Sequence, residues 1–145
     1  MIKDVRAIGG IPILVTSLSR RNYIDGKPDP NDGLGEYANA VRSVASEERV
    51  TLVDLYGLSQ KYLSKLTQKE ADELNMAGHP DAKSENGSGT KPDRTHLNQA
   101  GKSVFGRIVA DNVIRSEVEL GPNVIGLPER TSAAMPKQAA PTDGH

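Results

Sequence analysis

The sequence predicts an α/β fold, in which short strands alternate with amphipathic helices. Three observations carry this expectation. Residues 11–16 and 50–55 are short, nearly unbroken apolar runs rich in β-branched side chains, the pattern of strands covered on both faces. Between and after them, apolar residues recur every three or four positions, as in helices with one buried stripe. The first strand then opens into a long Gly-, Pro-, Asn- and Asp-rich stretch, and the ends of parallel strands are where α/β folds usually meet ligands.

Each element follows from local chemistry. Residues 1–10 read as the last turns of a helix, with Ile2, Val5 and Ile8 at helical spacing and Gly9-Gly10 ending it. A domain opening midway through a helix-to-strand unit is expected to continue upstream, with Met1 an internal methionine of a longer protein. Pro12 confines the first strand to an edge or to a start near the proline. Residues 17–33 are expected to form one long loop. Leu34, Tyr37, Ala38, Val41, Val44 and Ala45 give the next helix its apolar stripe, with Glu36, Asn39, Arg42 and Glu47 between them. The second strand ends in Asp54, which is expected to cap or orient the following turn. Leu58, Tyr62 and Leu66 mark a further helix. Thr67 and Glu70 have the spacing of a capping box opening a short helix to about Met76.

Residues 78–93 are polar, with a Gly-Ser-rich centre at 85–90, and are read as a loop leading into residues 91–98. Asn98 is the expected cap of a last helix running to about Arg115, with Gly101, Val104, Ile108 and Val109 on its inner side. Beyond this, Pro122, Pro128, Pro136 and Pro141 stand among small and polar residues without periodicity. The domain is therefore expected to occupy residues 1–115, followed by a disordered tail over 116–145. Two parallel strands leave edges and apolar faces unprotected, so further sheet is expected from elsewhere, with self-association as an alternative cover.

Composition excludes several classes of function. With 18 basic and 19 acidic side chains the chain carries a net charge of -1, and lacks the concentrated positive charge that nucleic-acid binding requires. No apolar run approaches the roughly 20 residues that cross a bilayer. The first ten residues lack the basic start and continuous apolar stretch of a signal peptide. Without cysteine the chain has neither disulfides nor thiolate metal sites, which leaves its compartment open.

The chemistry concentrates in Asp93-Arg94-Thr95-His96-Leu97-Asn98. Histidine accepts a proton near neutral pH, and a nearby carboxylate fixes its tautomer and stabilises the charged form. A spacing of three lets Asp93 meet Nδ1 of His96 in one turn, leaving Nε2 directed into a cleft. The same spacing also suits a turn-capping aspartate and a surface histidine. Arg20 and Arg21, just after the first strand, suit an anionic sugar, an active-site loop or a solvated turn. Tyr37, Tyr56 and Tyr62 suit packing, and stacking on a sugar is not favoured over it. His79, Asp81, Asp93 and His96 include metal-ligand types, but in no known metal-binding arrangement. Neither Gly9-Gly10 nor Gly33-Leu34-Gly35 has the strand–loop–helix setting of a phosphate cradle.

Asp93, His96 and Asn98-Gln99-Ala100-Gly101 resemble the final block of SGNH/GDSL hydrolases, where aspartate and histidine stand three apart before the last helix. The resemblance extends towards the rhamnogalacturonan acetylesterase group through the strand at 11–16, Ser19-Arg20-Arg21, the helix from Tyr37 to Ala45, the strand at 50–55 and Ser59, all in order over residues 1–115. It implies the C-terminal part of a flavodoxin-like three-layer α/β/α fold. It further implies hydrolysis of O-acetyl or related short-chain esters on pectic or other polysaccharides, with Asp93 orienting His96 and His96 acting as general base. Arg20 and Arg21 would lie at the substrate mouth. No cofactor or metal is implied.

The family's Gly-Asp-Ser nucleophile block, and the glycine and asparagine blocks of its oxyanion hole, are not recognisable in this sequence. Ser17, Ser19 and Ser59 lack the nucleophile's surroundings, and Ser84 and Ser88 fall in the polar segment. The chain by itself is therefore expected to be inactive, needing a missing N-terminal half or a complementing chain. The alternative expectation is a non-catalytic saccharide-binding or assembly module, using Arg20, Arg21 and the long loops.

Overall fold

The computed structural model describes residues 1–76 and 93–116. Helix α1 (Ile2–Ala7) ends at Gly9, whose φ of 78° lies in the left-handed region that glycine adopts without strain. The chain then enters β1 (Ile13–Val15), directly after Pro12, as a proline without an N–H to donate requires. β1 pairs in parallel with β4 (Thr51–Val53) in the register Ile13↔Thr51, Leu14↔Leu52 and Val15↔Val53, and Thr16 N–H extends the ladder to the Val53 carbonyl. Both strands are shorter than their apolar runs. Val15 is 44% exposed, so β1 is not covered on both faces as its composition predicts.

Residues 17–33 are not one loop. They contain a hairpin, β2 (Tyr23–Ile24) and β3 (Lys27–Pro28), closed by Asp25 and Gly26 with φ of 51° and 74°. Positive φ at both turn positions is what a tight two-residue hairpin demands, and Asp-Gly satisfies it. Reading the segment by composition hides this local signal.

Helix α2 (Gly35–Glu47) connects β3 to β4 and lays Ala38 and Ala45 against the parallel pair. Tyr37, expected on its inner stripe, is 67% exposed instead. Asp54 caps α3 (Leu55–Leu63) by accepting the Gly57 N–H, as its place at the strand end predicts. Thr67 and Glu70 form the predicted capping box of α4 (Gln68–Asp72), each side chain bonding the other residue's N–H. That helix stops well before Met76, and β5 (Asn75–Met76) follows. β5 pairs antiparallel with β6 (Asp93–Leu97), so the segment carrying Asp93 and His96 is a strand, not a loop. Its polar run of Asp, Arg, Thr and His lacks the apolar alternation by which strands are read.

Asn98 caps α5 (Gln99–Arg115), accepting the Gly101 N–H at 2.9 Å as predicted. Leu63, Ala71, Leu74 and Phe105 form a buried cluster joining α3, α4 and α5, with Tyr62 meeting Phe105 edge-on at 5.8 Å. Val104 and Ile108 pack against it from the predicted inner side of α5. Burying one such large apolar side chain stabilises by roughly 1.5–3 kcal/mol, so this cluster is the main anchor of the half of the molecule that carries β6. The whole is a small α/β domain of parallel and antiparallel strand pairs flanked by helices. The Gly-Ser-rich stretch, His79, Asp81, Ser84, Ser88 and, apart from Ser116 at the end of α5, the tail expected over 116–145 fall in residues 77–92 and 117–145, outside the described residues.

Candidate acid–base site

The site is built on β6. Asp93 folds back on its own strand: Oδ1 accepts the N–H groups of Thr95 at 2.9 Å and His96 at 3.0 Å, leaving Oδ2 at 2.7 Å from His96 Nδ1. These bonds from His96 and Thr95 hold the Asp93 carboxyl down at about 2, so it is ionised at neutral pH. A carboxylate at Nδ1 selects the tautomer with its proton there and leaves the Nε2 lone pair free to accept one. The His96 side chain is 71% exposed. Asp93 and His96 thus meet as the three-residue spacing predicts.

The floor beneath them is tight. Asn98 bonds in three directions: its N–H to the Leu74 carbonyl, its Nδ2 to the Glu73 carbonyl at 2.7 Å, and its Oδ1 to the first turn of α5. At Gly101 an added Cβ would stand 2.4 Å from the Leu74 carbonyl oxygen and 2.8 Å from Leu97, so only glycine lets α5 approach β5 and β6 this closely.

Behind β6 lies a polar cluster. Arg94 makes a two-point contact with Asp72, at 2.8 and 3.0 Å. Asp72 also accepts from Asn75 Nδ2 and Gln68 Nε2, both at 3.0 Å, and Gln68 bonds the Arg21 carbonyl at 3.1 Å. Arg21 is fully buried. Its Nε donates to Asn75 Oδ1, its Nη2 to the His96 carbonyl at 3.1 Å and its Nη1 to the Ser19 carbonyl at 3.4 Å. Burial pushes the guanidinium below its ordinary value, with Asp93 and Asp72 opposing. Arg21, expected at a substrate mouth, has its donors turned inward, onto protein acceptors. The bonds that tie Asn75, Asp72 and Gln68 to the two arginines carry no signal in sequence, because they span 22 to 54 residues.

Arg20 is exposed. Its N–H bonds Asp32, a buried carboxylate that also accepts from Leu34 N–H and the Tyr56 hydroxyl. The Arg20 guanidinium lies beside Gly33, on the rim of an open groove of about 510 Å³ lined by Pro30, Asn31, Gly35, Glu36 and Asn39. The two neighbouring arginines thus have opposite fates, one solvent-facing and one sealed.

Ser19 and Ser59, near β1 and α3, are structural. Both are fully buried with their hydroxyls 2.9 Å apart, and Ser59 donates on to the Tyr56 carbonyl. Among the described residues no hydroxyl bonds His96 Nε2, no group of three acidic or histidine side chains is placed to hold a metal, and no helix is long and apolar enough to cross a membrane. Comparison of the chain with protein-family models, curated proteins and solved structures gives no match.

Proposed function

We propose that this chain supplies the acid–base half of an SGNH-type carbohydrate esterase acting on O-acetyl or related short-chain esters of pectic or other polysaccharides. The observation that carries the reading is the 2.7 Å contact between Asp93 Oδ2 and His96 Nδ1, made by an ionised carboxylate and an exposed ring. In this reading His96 Nε2 takes the proton of a serine hydroxyl as that oxygen bonds the ester carbonyl carbon. The carbon–oxygen bond to the sugar then breaks, and His96 returns the proton to the leaving hydroxyl. Water, deprotonated by the same nitrogen, then bonds the acyl carbon. The carbon–oxygen bond to serine breaks, His96 returns the proton to the serine oxygen, and the acetyl group leaves as acetic acid. The serine and the oxyanion donors would come from residues outside this sequence, upstream in a longer product or on a complementing chain. Without them an acid–base pair contributes little, because positioned nucleophile and oxyanion donors supply most of the rate.

Two measurements test this. Incubated with 4-nitrophenyl acetate or acetylated pectic oligosaccharides, the chain alone is expected to release no acetate above a heat-inactivated control. The native protein, mapped by intact mass and peptide sequencing, is expected to include a Gly-Asp-Ser segment whose serine reacts with a fluorophosphonate. His96→Ala should slow that labelling by roughly two to four orders of magnitude. Turnover by the chain alone that survives His96→Ala would sink the proposal.

A second reading, a saccharide-binding module without turnover, is favoured by the polar groove beside Arg20. It predicts binding of acetylated oligosaccharides that Arg20→Ala abolishes and His96→Ala leaves intact.

A further inference from the structure

We infer that Arg21 is a positioning residue for the Asp93–His96 pair, holding His96 from behind through its main chain; this rests on reading that pair as the acid–base group. His96 is fixed on one side by Asp93, which takes both its N–H and its Nδ1. The carbonyl on its other side is taken by Arg21 Nη2 at 3.1 Å, and Arg21 N–H takes the Arg94 carbonyl at 3.2 Å. One residue thus brackets β6 on either side of Thr95 and ties it to the chain leaving β1. Asn75 sets the guanidinium in place from β5.

The cost of this arrangement argues for its use. A fully buried cation is expensive, and a main-chain N–H could hold a carbonyl more cheaply. What a guanidinium adds is a planar fork that serves Asn75, Ser19 and His96 at fixed angles, which no single backbone donor or flexible ammonium reproduces. Asp93 makes its bonds within four residues of one strand, so by itself it sets the ring's partner but not where the strand sits. Arg21 supplies that second constraint, and the Asp93–His96 contact is expected to loosen when it is lost.

The test reads the imidazole nitrogens of His96 by NMR in the 15N-labelled full chain, in the neutral form of the ring, with His96→Gln to assign its signals. The native protein should show the proton on Nδ1. Asp93→Asn should move it towards Nε2, the tautomer an unpaired imidazole favours in water. If Asp93→Asn changes nothing, the pair itself is absent and the reading beneath this inference fails with it. If Asp93→Asn shifts the tautomer, Arg21→Met decides the inference. A folded Arg21→Met protein should show the Nδ1–H to Nε2–H ratio lowered roughly five- to tenfold, the effect of one lost hydrogen bond on a two-state balance. An unchanged ratio in that folded variant overturns the inference. Should Arg21→Met not fold, Arg21→Lys takes its place: a single ammonium cannot span Asn75 and His96, so a partial shift supports the inference and a native ratio overturns it.

Discussion

Asp54 and Asp93 stand at ends of two different strands and share much of their chemistry. Each accepts main-chain N–H bonds from residues just beyond it, and each carboxyl lies below its ordinary range. For Asp54 partial burial pushes upward, but bonds from Arg42, Gly57 N–H and Thr16 outweigh it. The partners separate the two. Arg42 grips Asp54 through Nη2 at 2.8 and 3.0 Å and Nε at 3.2 Å, and a guanidinium stays protonated at any physiological pH. Asp93 instead meets an imidazole, which gives and takes a proton near neutrality. A depressed carboxyl therefore marks good bonding in both corners, and only the partner's own chemistry makes one of them a candidate site.

The harshest way to separate the corners is to disturb the floor under one of them. Gly101→Val sets a branched side chain against the Leu74 carbonyl and Leu97, forcing α5 away from β5 and β6. Overpacking of this kind should cost about 3 kcal/mol in urea unfolding. The Asp93–His96 contact should be lost in whatever folded protein remains, and the Arg42–Asp54 pair kept. Equal damage at both corners, read from side-chain NMR signals, would show that they are not independent.

Asp54→Ala is the reciprocal change and the next in size. It removes the α3 cap, worth about 1 kcal/mol, and the Thr16 bond, worth about as much when the neighbouring groups are buried. The Arg42 pair adds only a few tenths, because both side chains are about a third exposed and screened by water. A loss of about 2 kcal/mol in urea unfolding is expected, with the His96 ring signals unmoved. A shift of those signals would join the two corners into one network.

What the sequence makes legible follows the range of the interaction. Asp93 with His96, Asn98 with Gly101, Thr67 with Glu70 and Asp54 with Gly57 are all contacts three residues apart, and each is readable because a turn leaves few alternatives at that spacing. The hairpin at Asp25-Gly26 was equally local, yet it is masked by the Pro- and Asn-rich residues around it. Long-range partners are another matter. Nothing in adjacent arginines says that Arg20 faces solvent while Arg21 turns inward to meet residues 75 and 96, because that depends on how three strand pairs assemble. Tyr37 fails for a related reason: helical spacing defines a stripe, but not how far around the helix its neighbours reach.

The smallest expected effect is on acid stability, and it isolates the Asp93 contact. The Asp93 carboxyl sits at about 2 in the folded chain against an ordinary 3.8. A depressed carboxyl stabilises the fold fully above its unfolded value, and that stabilisation fades as pH falls through the folded one. Asp93→Asn keeps an oxygen that can accept the Thr95 and His96 N–H bonds but removes the charge facing Nδ1. The urea midpoint of native protein should therefore exceed that of Asp93→Asn by a small margin that is complete by about pH 5. The margin should shrink steadily below that, through the folded value near 2, and vanish by about pH 1. Asp54 and Glu70, also held below their ordinary values, titrate in both proteins and cancel in the difference. A margin undiminished at pH 2, or one absent at pH 5, would mean that the ionised Asp93 is not what holds His96.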